Sequence, residues 1–263
     1  MLRAIRALQG IVLRELYRFV RQRERFASAL VRPLVWLFIF AAGFRSTLGV
    51  AISPPYETYI LYEEYITPGL LGMIQLFNGM QSSLSMVHDR EMGSMKTLLV
   101  SPLPRWFLLT SKLLAGVIVS ILQAYAFLLI AWLYGIEPPL LGYFNVLPAL
   151  LLSGLMLGAL GLFLSSWIRQ LENFAGVMNF VIFPTFFLST ALYPSWKLQE
   201  SGVALERLAS WNPFSQAVEL IRYALYEQFN GYACAYTVAA LVLFLVMAVV
   251  GYNPSKGMLH RKG

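Results

Sequence analysis

The apolar residues of this chain are gathered into blocks, and each block is long enough to cross a lipid bilayer as a helix. A hydrocarbon core of about 30 Å takes roughly 20 helical residues. Six blocks answer to that length: 26–44, 65–87, 106–134, 143–167, 174–193 and 232–252. Little remains from which a separate soluble domain could be built. The composition agrees, with 58% hydrophobic and 13% charged residues, where soluble domains carry about 45–50% and about 25%. Tyr or Trp stands at many block boundaries, as an interfacial aromatic belt requires. The predicted fold class is an all-α integral membrane protein with six transmembrane helices. Arg32, near the start of the first span, is placed to snorkel to the interface, and Pro33 to kink the helix.

Ahead of the spans, residues 1–25 predict an amphipathic helix. Leu2, Ile5, Leu8, Val12, Leu16 and Phe19 recur at helical spacing, and Arg3, Arg6, Arg14, Arg18, Arg21 and Arg25 fall opposite. An apolar stripe backed by arginines suits a helix lying in the headgroup plane. An ordinary surface helix would need a soluble domain to receive it.

The basic residues set the orientation. The side holding the N-terminal helix, the 88–105 and 168–173 connections and the tail at 253–263 carries 16 of the 20 Lys and Arg residues. The positive-inside rule places that side, and both termini, in the cytoplasm. Six spans also require the termini to share a side, so the two readings agree. The net charge of +7 is then spent facing anionic lipid rather than nucleic acid.

Three polar features interrupt this pattern. In the second span Gln75, Asn78, Ser82 and Ser85 share one face, with Gln81 nearby. Polar side chains in lipid are costly, so the stripe faces either neighbouring helices or a wet substrate path. In the 88–105 connection Met92, Met95, Leu98 and Leu99 share a helical face, which Pro102 and Pro104 end. This piece reads as a partner-binding helix with an adaptable methionine face or as a plain interfacial turn. The external stretch 194–231 is long and partly helical. There Asn212 is a predicted N-cap with Pro213 at the first helical position. Phe214, Val218, Ile221 and Leu225 follow at helical spacing, with Glu219 and Arg222 as a possible pair.

No G-x-x-x-x-G-K-[ST] phosphate loop occurs in the sequence. A chain with this architecture and no nucleotide site of its own would take any ATP-derived work from a partner.

The run "DREMGSMKTLLVSPLPR" at 89–105 resembles the segment after the second span of type-2 ABC exporter permeases. "PGLLGM" at Pro68–Met73 and "WNPF" at Trp211–Phe214 are similar to that family too, as is the order of parts along nearly the whole chain. The likeness extends to bacterial permeases of polysaccharide and nodulation-factor export. It implies a single transmembrane permease domain over 1–263 that pairs with a second copy and binds two separate ATPase subunits, in a bacterial inner membrane. No cofactor would sit in this chain; ATP and Mg would sit on the partner. The segment with Asp89, Arg90, Glu91, Met92, Gly93, Met95, Leu98, Leu99 and Pro102 would couple to the ATPase. Gln75, Asn78, Ser82 and Ser85 would be substrate-path candidates. Trp211, Asn212, Pro213 and Phe214 would belong to an external gate, in a re-entrant hairpin rather than a surface helix.

Two other classes compete. An intramembrane enzyme would need acid–base or metal chemistry within the spans, but His88 and His260 both lie in flanks and no span holds a carboxylate pair. An ion-coupled secondary transporter or channel would place ionisable residues near the membrane centre, often in paired halves. The mid-span regions lack acidic residues.

Overall fold

The computed structural model describes residues 2–21, 23–40, 43, 54–91, 104–168 and 170–252, which form helices joined by turns. The helices are α1 (Leu2–Arg21), α2 (Arg23–Val35) with a π-helical turn at Trp36–Phe40, α3 (Tyr62–Glu91), α4 (Arg105–Leu133), α5 (Gly142–Trp167), α6 (Leu171–Phe187), α7 (Ser195–Ser201), α8 (Val203–Trp211), α9 (Pro213–Leu225) and α10 (Gly231–Gly251). Three of them, over Trp106–Leu133, Gly142–Trp167 and Gly231–Gly251, are long and apolar enough to cross a membrane. The apolar stretches Ala29–Ile39 and Leu171–Phe187 are shorter, and α3 is long but carries its polar stripe.

Helix α5 is the axis of the bundle and packs against α3, α4, α9 and α10. Small residues set how closely it does so. A Cβ added at Gly79 of α3 would lie 2.9 Å from the Cα of Gly158 in α5, and one at Gly154 would lie 3.2 Å from Gln75 Nε2. Gly154 and Gly158 thus form the close-packing face that their spacing permits. Helix α10 turns Ala233, Thr237, Ala240 and Ala248 inward and leaves Val242, Leu243, Val246 and Val250 open. An apolar outer face of this kind is what lipid demands.

Several boundaries differ from the sequence-based expectation. The predicted 1–25 helix is described as helical over Leu2–Arg21 and again from Arg23, with residue 22 outside the described residues. The fifth span, predicted to reach Tyr193, ends as a helix at Phe187. Leu188 leaves helical geometry at φ −93°, ψ 60°. The next four residues, Ser189, Thr190, Ala191 and Leu192, are buried as a turn. Hydropathy did not mark this break, because the turn is short, uncharged and flanked by Leu188 and Tyr193. The expected external helical stretch appears as α7, α8 and α9.

Candidate translocation and coupling sites

The polar stripe of α3 is turned into the bundle. Gln75 is buried; its Nε2 donates to the Leu150 carbonyl at 2.6 Å and its Oε1 accepts from Ser153 Oγ at 2.5 Å. Asn78 Nδ2 donates to the Ile74 carbonyl at 2.8 Å and to Gln123 Oε1 of α4. Ser85, half-buried, donates to the Ser82 carbonyl at 2.7 Å. Ser82 lies against Gly116, where an added Cβ would be 3.3 Å from its Oγ. These side chains meet α4 and α5 around a cavity of 10 Å³ lined by Gln75, Gly79, Ser82, Ser83, Lys112 and Ser120. That is room for about one water. Gln81, outside this stripe, is exposed, one turn from half-buried Phe77.

A second constellation closes the other end of α3. Asn212 caps α9, its Oδ1 accepting from Phe214 N at 3.0 Å. Its Nδ2 donates to the carbonyls of Thr185 and Leu188, both at 2.7 Å, so the cap also binds the last turn of α6. Pro213 occupies the first turn of α9. Phe214 is fully buried, with its ring 6.0 Å from that of Phe186. Trp211 is 78% exposed, and its carbonyl accepts from Tyr236 Oη at 2.6 Å.

Arg222 is the centre of this end. It is buried, pairs with Glu219, and donates through Nη2 to the Thr190 carbonyl at 2.8 Å. The guanidinium carbon lies 4.2 Å from the centroid of the Tyr65 ring. Tyr65 Oη donates to the same Thr190 carbonyl at 2.9 Å, and Tyr62 Oη donates to the Leu192 carbonyl at 3.0 Å. The Tyr56 hydroxyl faces the same guanidinium, and neither it nor Arg222 Nε completes a hydrogen bond. Burial pushes the Tyr56 phenol above its ordinary range, so it stays neutral. The 188–192 turn, α9 and the start of α3 are thereby locked together. The i, i+3 spacing foresaw the Glu219–Arg222 pair. Tyr65 and Thr190 are far away in sequence, and no local pattern marks them.

At the opposite end, α3 runs on through Asp89 and Arg90 to Glu91, which is exposed. Met92, Gly93, Met95, Leu98, Leu99 and Pro102 lie outside the described residues. The chain is described again from Pro104, whose φ of −64° and ψ of 143° precede α4.

These features define a membrane-embedded helical permease, with one end sealed by short helices and the other extended into a charged connection. Residues 6–226 match the sequence pattern of the ABC-2 type transporter family, and the chain belongs to that family. It is similar to ycf38 of Porphyra purpurea, designated a transport permease, at 26% identity over 225 residues, 83% of this chain and 74% of the relative. It is 31% identical to YbhR of Escherichia coli (strain K12), designated a multidrug ABC transporter permease, over 175 residues, 64% of this chain and 45% of YbhR. Nodulation protein J of Rhizobium leguminosarum bv. viciae is 26% identical over 134 residues, 49% of each chain. Members of this family are transmembrane subunits of ABC transporters and partner with ATP-binding-cassette subunits.

Proposed function

We propose that this chain is the permease subunit of an exporter in which two copies pair with each other and with two ATP-binding-cassette ATPases. It moves an amphipathic, lipid-linked or polymeric molecule out across a bacterial inner membrane. ATP and Mg are held by the ATPases. The six apolar blocks all span, both termini lie in the cytoplasm, and α1 lies in the inner headgroup plane against the ATPase. The hairpin of α8 and α9 is re-entrant from outside, and Trp211, Asn212, Pro213 and Phe214 belong to the outer gate.

One observation carries this reading. Helix α3 is a single 30-residue helix from Tyr62 to Glu91, about 45 Å long at 1.5 Å per residue. Its first turns hold the Arg222 knot and its last turn opens the 88–105 connection. A rod with a gate at one end and a docking segment at the other transmits displacement across the bilayer. Gln75 and Asn78 bind that rod to α5 and α4, and Ser82 and Ser85 continue the same stripe. They would border the substrate path once α3 moves against α4.

Docking is tested by replacing Met95 or Leu98 with Asp and measuring co-purification with the cognate ATPase. Loss of the ATPase, with the permease still folded, is expected. Unchanged binding and transport reject the docking role. The competing class, an ion-coupled transporter or channel, would move cargo with no ATPase present.

A further inference from the structure

Arg32, placed by its sequence position to snorkel, lies against the middle of α3. Its guanidinium carbon lies 3.7 Å from the centroid of the Phe77 ring, and Phe77 is halfway along α3. With α2 and α3 read as spans, the charge stands deep in the membrane. Among the described residues no carboxylate pairs with it, and the side chain remains exposed. A cation at this depth is costly, and such residues mark the paths of ions and substrates.

The surroundings show what it could hold. Val35 and Ile39, 42% and 64% exposed, continue the stripe that Arg32 begins at i+3 and i+7. On α3, Gln81 is exposed one turn from Phe77. Pro33 and the π-helical turn at Trp36–Phe40 interrupt regular helix directly after Arg32, and π turns occur frequently at functional sites. Trp36 fixes this turn against α6, with its ring centroid 5.6 Å from Phe186 and 5.8 Å from Phe187. A cation on an anchored element thus borders exposed apolar side chains of its own helix, and an exposed amide of α3 stands one turn from the ring it rests on.

We propose that Arg32, Phe77 and Gln81 form a recognition site for the anionic group of an amphipathic cargo. The oxyanion, a phosphate or carboxylate, is held by the guanidinium and the Gln81 amide, and the apolar part lies along Val35 and Ile39. The planar fork of Arg suits such oxyanions, and the Phe77 face keeps the cation in place without neutralising it. This deepens the export reading by naming the cargo chemistry, and it rests on that reading.

The test needs no ATPase, so its outcome is separable from that of the docking experiment. The full chain in phosphatidylcholine nanodiscs is titrated with fluorescently labelled dodecyl phosphate. Dodecyl phosphate, dodecanol, dodecyltrimethylammonium and inorganic phosphate serve as competitors. Arg32→Gln is expected to weaken probe binding by about tenfold or more, and Arg32→Lys by about threefold, as a charge-assisted contact requires. Unlabelled dodecyl phosphate should displace the probe, and the other three should not. Unchanged binding in Arg32→Gln would overturn the proposal. So would equal displacement by the alcohol or ammonium, which would leave a generic greasy surface, or by inorganic phosphate, which would leave a site for the free ion. Should Arg32→Gln not fold, Gln81→Leu supplies a second variant, and unchanged probe binding there would overturn the proposal.

Discussion

Arg222 of α9 lies over the ring of Tyr65 in α3, and both side chains donate to one acceptor, the Thr190 carbonyl. Three segments far apart in sequence meet at this oxygen. The contact explains how a short helical hairpin can be held rigidly at the end of a long rod. It also makes the hairpin and α3 mechanically dependent on each other.

Replacing Arg222 with Leu strands the Glu219 carboxylate and removes one donor from Thr190. Removing one partner of a buried pair costs about 3–5 kcal/mol. Glu219 is 21% exposed and finds some solvent, which places the loss near the lower end. Thermal unfolding of the purified protein should show a lowered midpoint, and limited proteolysis should show new cleavage within 195–211. Arg222→Lys should recover little, because an ammonium cannot both fork and stack.

Asn212 separates capping from bridging. Asn212→Asp keeps the acceptor for Phe214 N and loses both donors to Thr185 and Leu188, whereas Asn212→Ala loses everything. An N-cap is worth about 1 kcal/mol. Asn212→Ala should therefore be the less stable in thermal unfolding only if the cap outweighs placing a carboxylate against two carbonyls. The expected order is wild type, then Asn212→Ala, then Asn212→Asp, since a charge facing two acceptors is the larger penalty.

Glycines at helix contacts should respond with opposite sign to glycines on open faces. A Cβ at Gly79 would meet backbone atoms of Gly158 and Leu157 at 2.9–3.0 Å, which cannot rotate away. Overpacking of this kind costs about 1–3 kcal/mol. At Gly176 of α6 nothing lies within 4 Å of an added Cβ, so Gly176→Ala should gain about 0.5–1 kcal/mol from helix propensity. Melting temperatures of Gly79→Ala and Gly176→Ala should move in opposite directions.

Much of this architecture was legible from hydropathy alone. The blocks at 106–134, 143–167 and 232–252 correspond to α4, α5 and α10 within a residue or two, because a long apolar run has no alternative to a helix in lipid. Asn212–Pro213 marked the start of α9 because capping is local chemistry. The end of α6 was not legible, since Ser189–Leu192 is buried against α3 and reads as more span. Nor was the environment of Arg32, whose position near the start of a block pointed to the interface. In the structure its guanidinium lies over the ring of Phe77, 45 residues further along the chain. Partners distant in sequence fixed both outcomes.

The α3 stripe offers a finer test. Gln75→Leu removes two interhelical hydrogen bonds and should cost about 1 kcal/mol, the scale of polar contacts between membrane helices. Gln81→Leu removes an exposed amide and should leave the unfolding midpoint unchanged while altering transport. If the two variants lose stability equally, the role of Gln75 in holding α3 to α5 fails.

This permease is proposed to draw its work from a separate ATPase. That dependence is tested by uptake of fluorescent amphiphiles into inverted membrane vesicles containing the permease, with and without its cognate ATPase. Accumulation that requires both subunits and ATP, and that survives collapse of the proton and sodium gradients, is the predicted result. Accumulation by the permease alone under an ion gradient would contradict it.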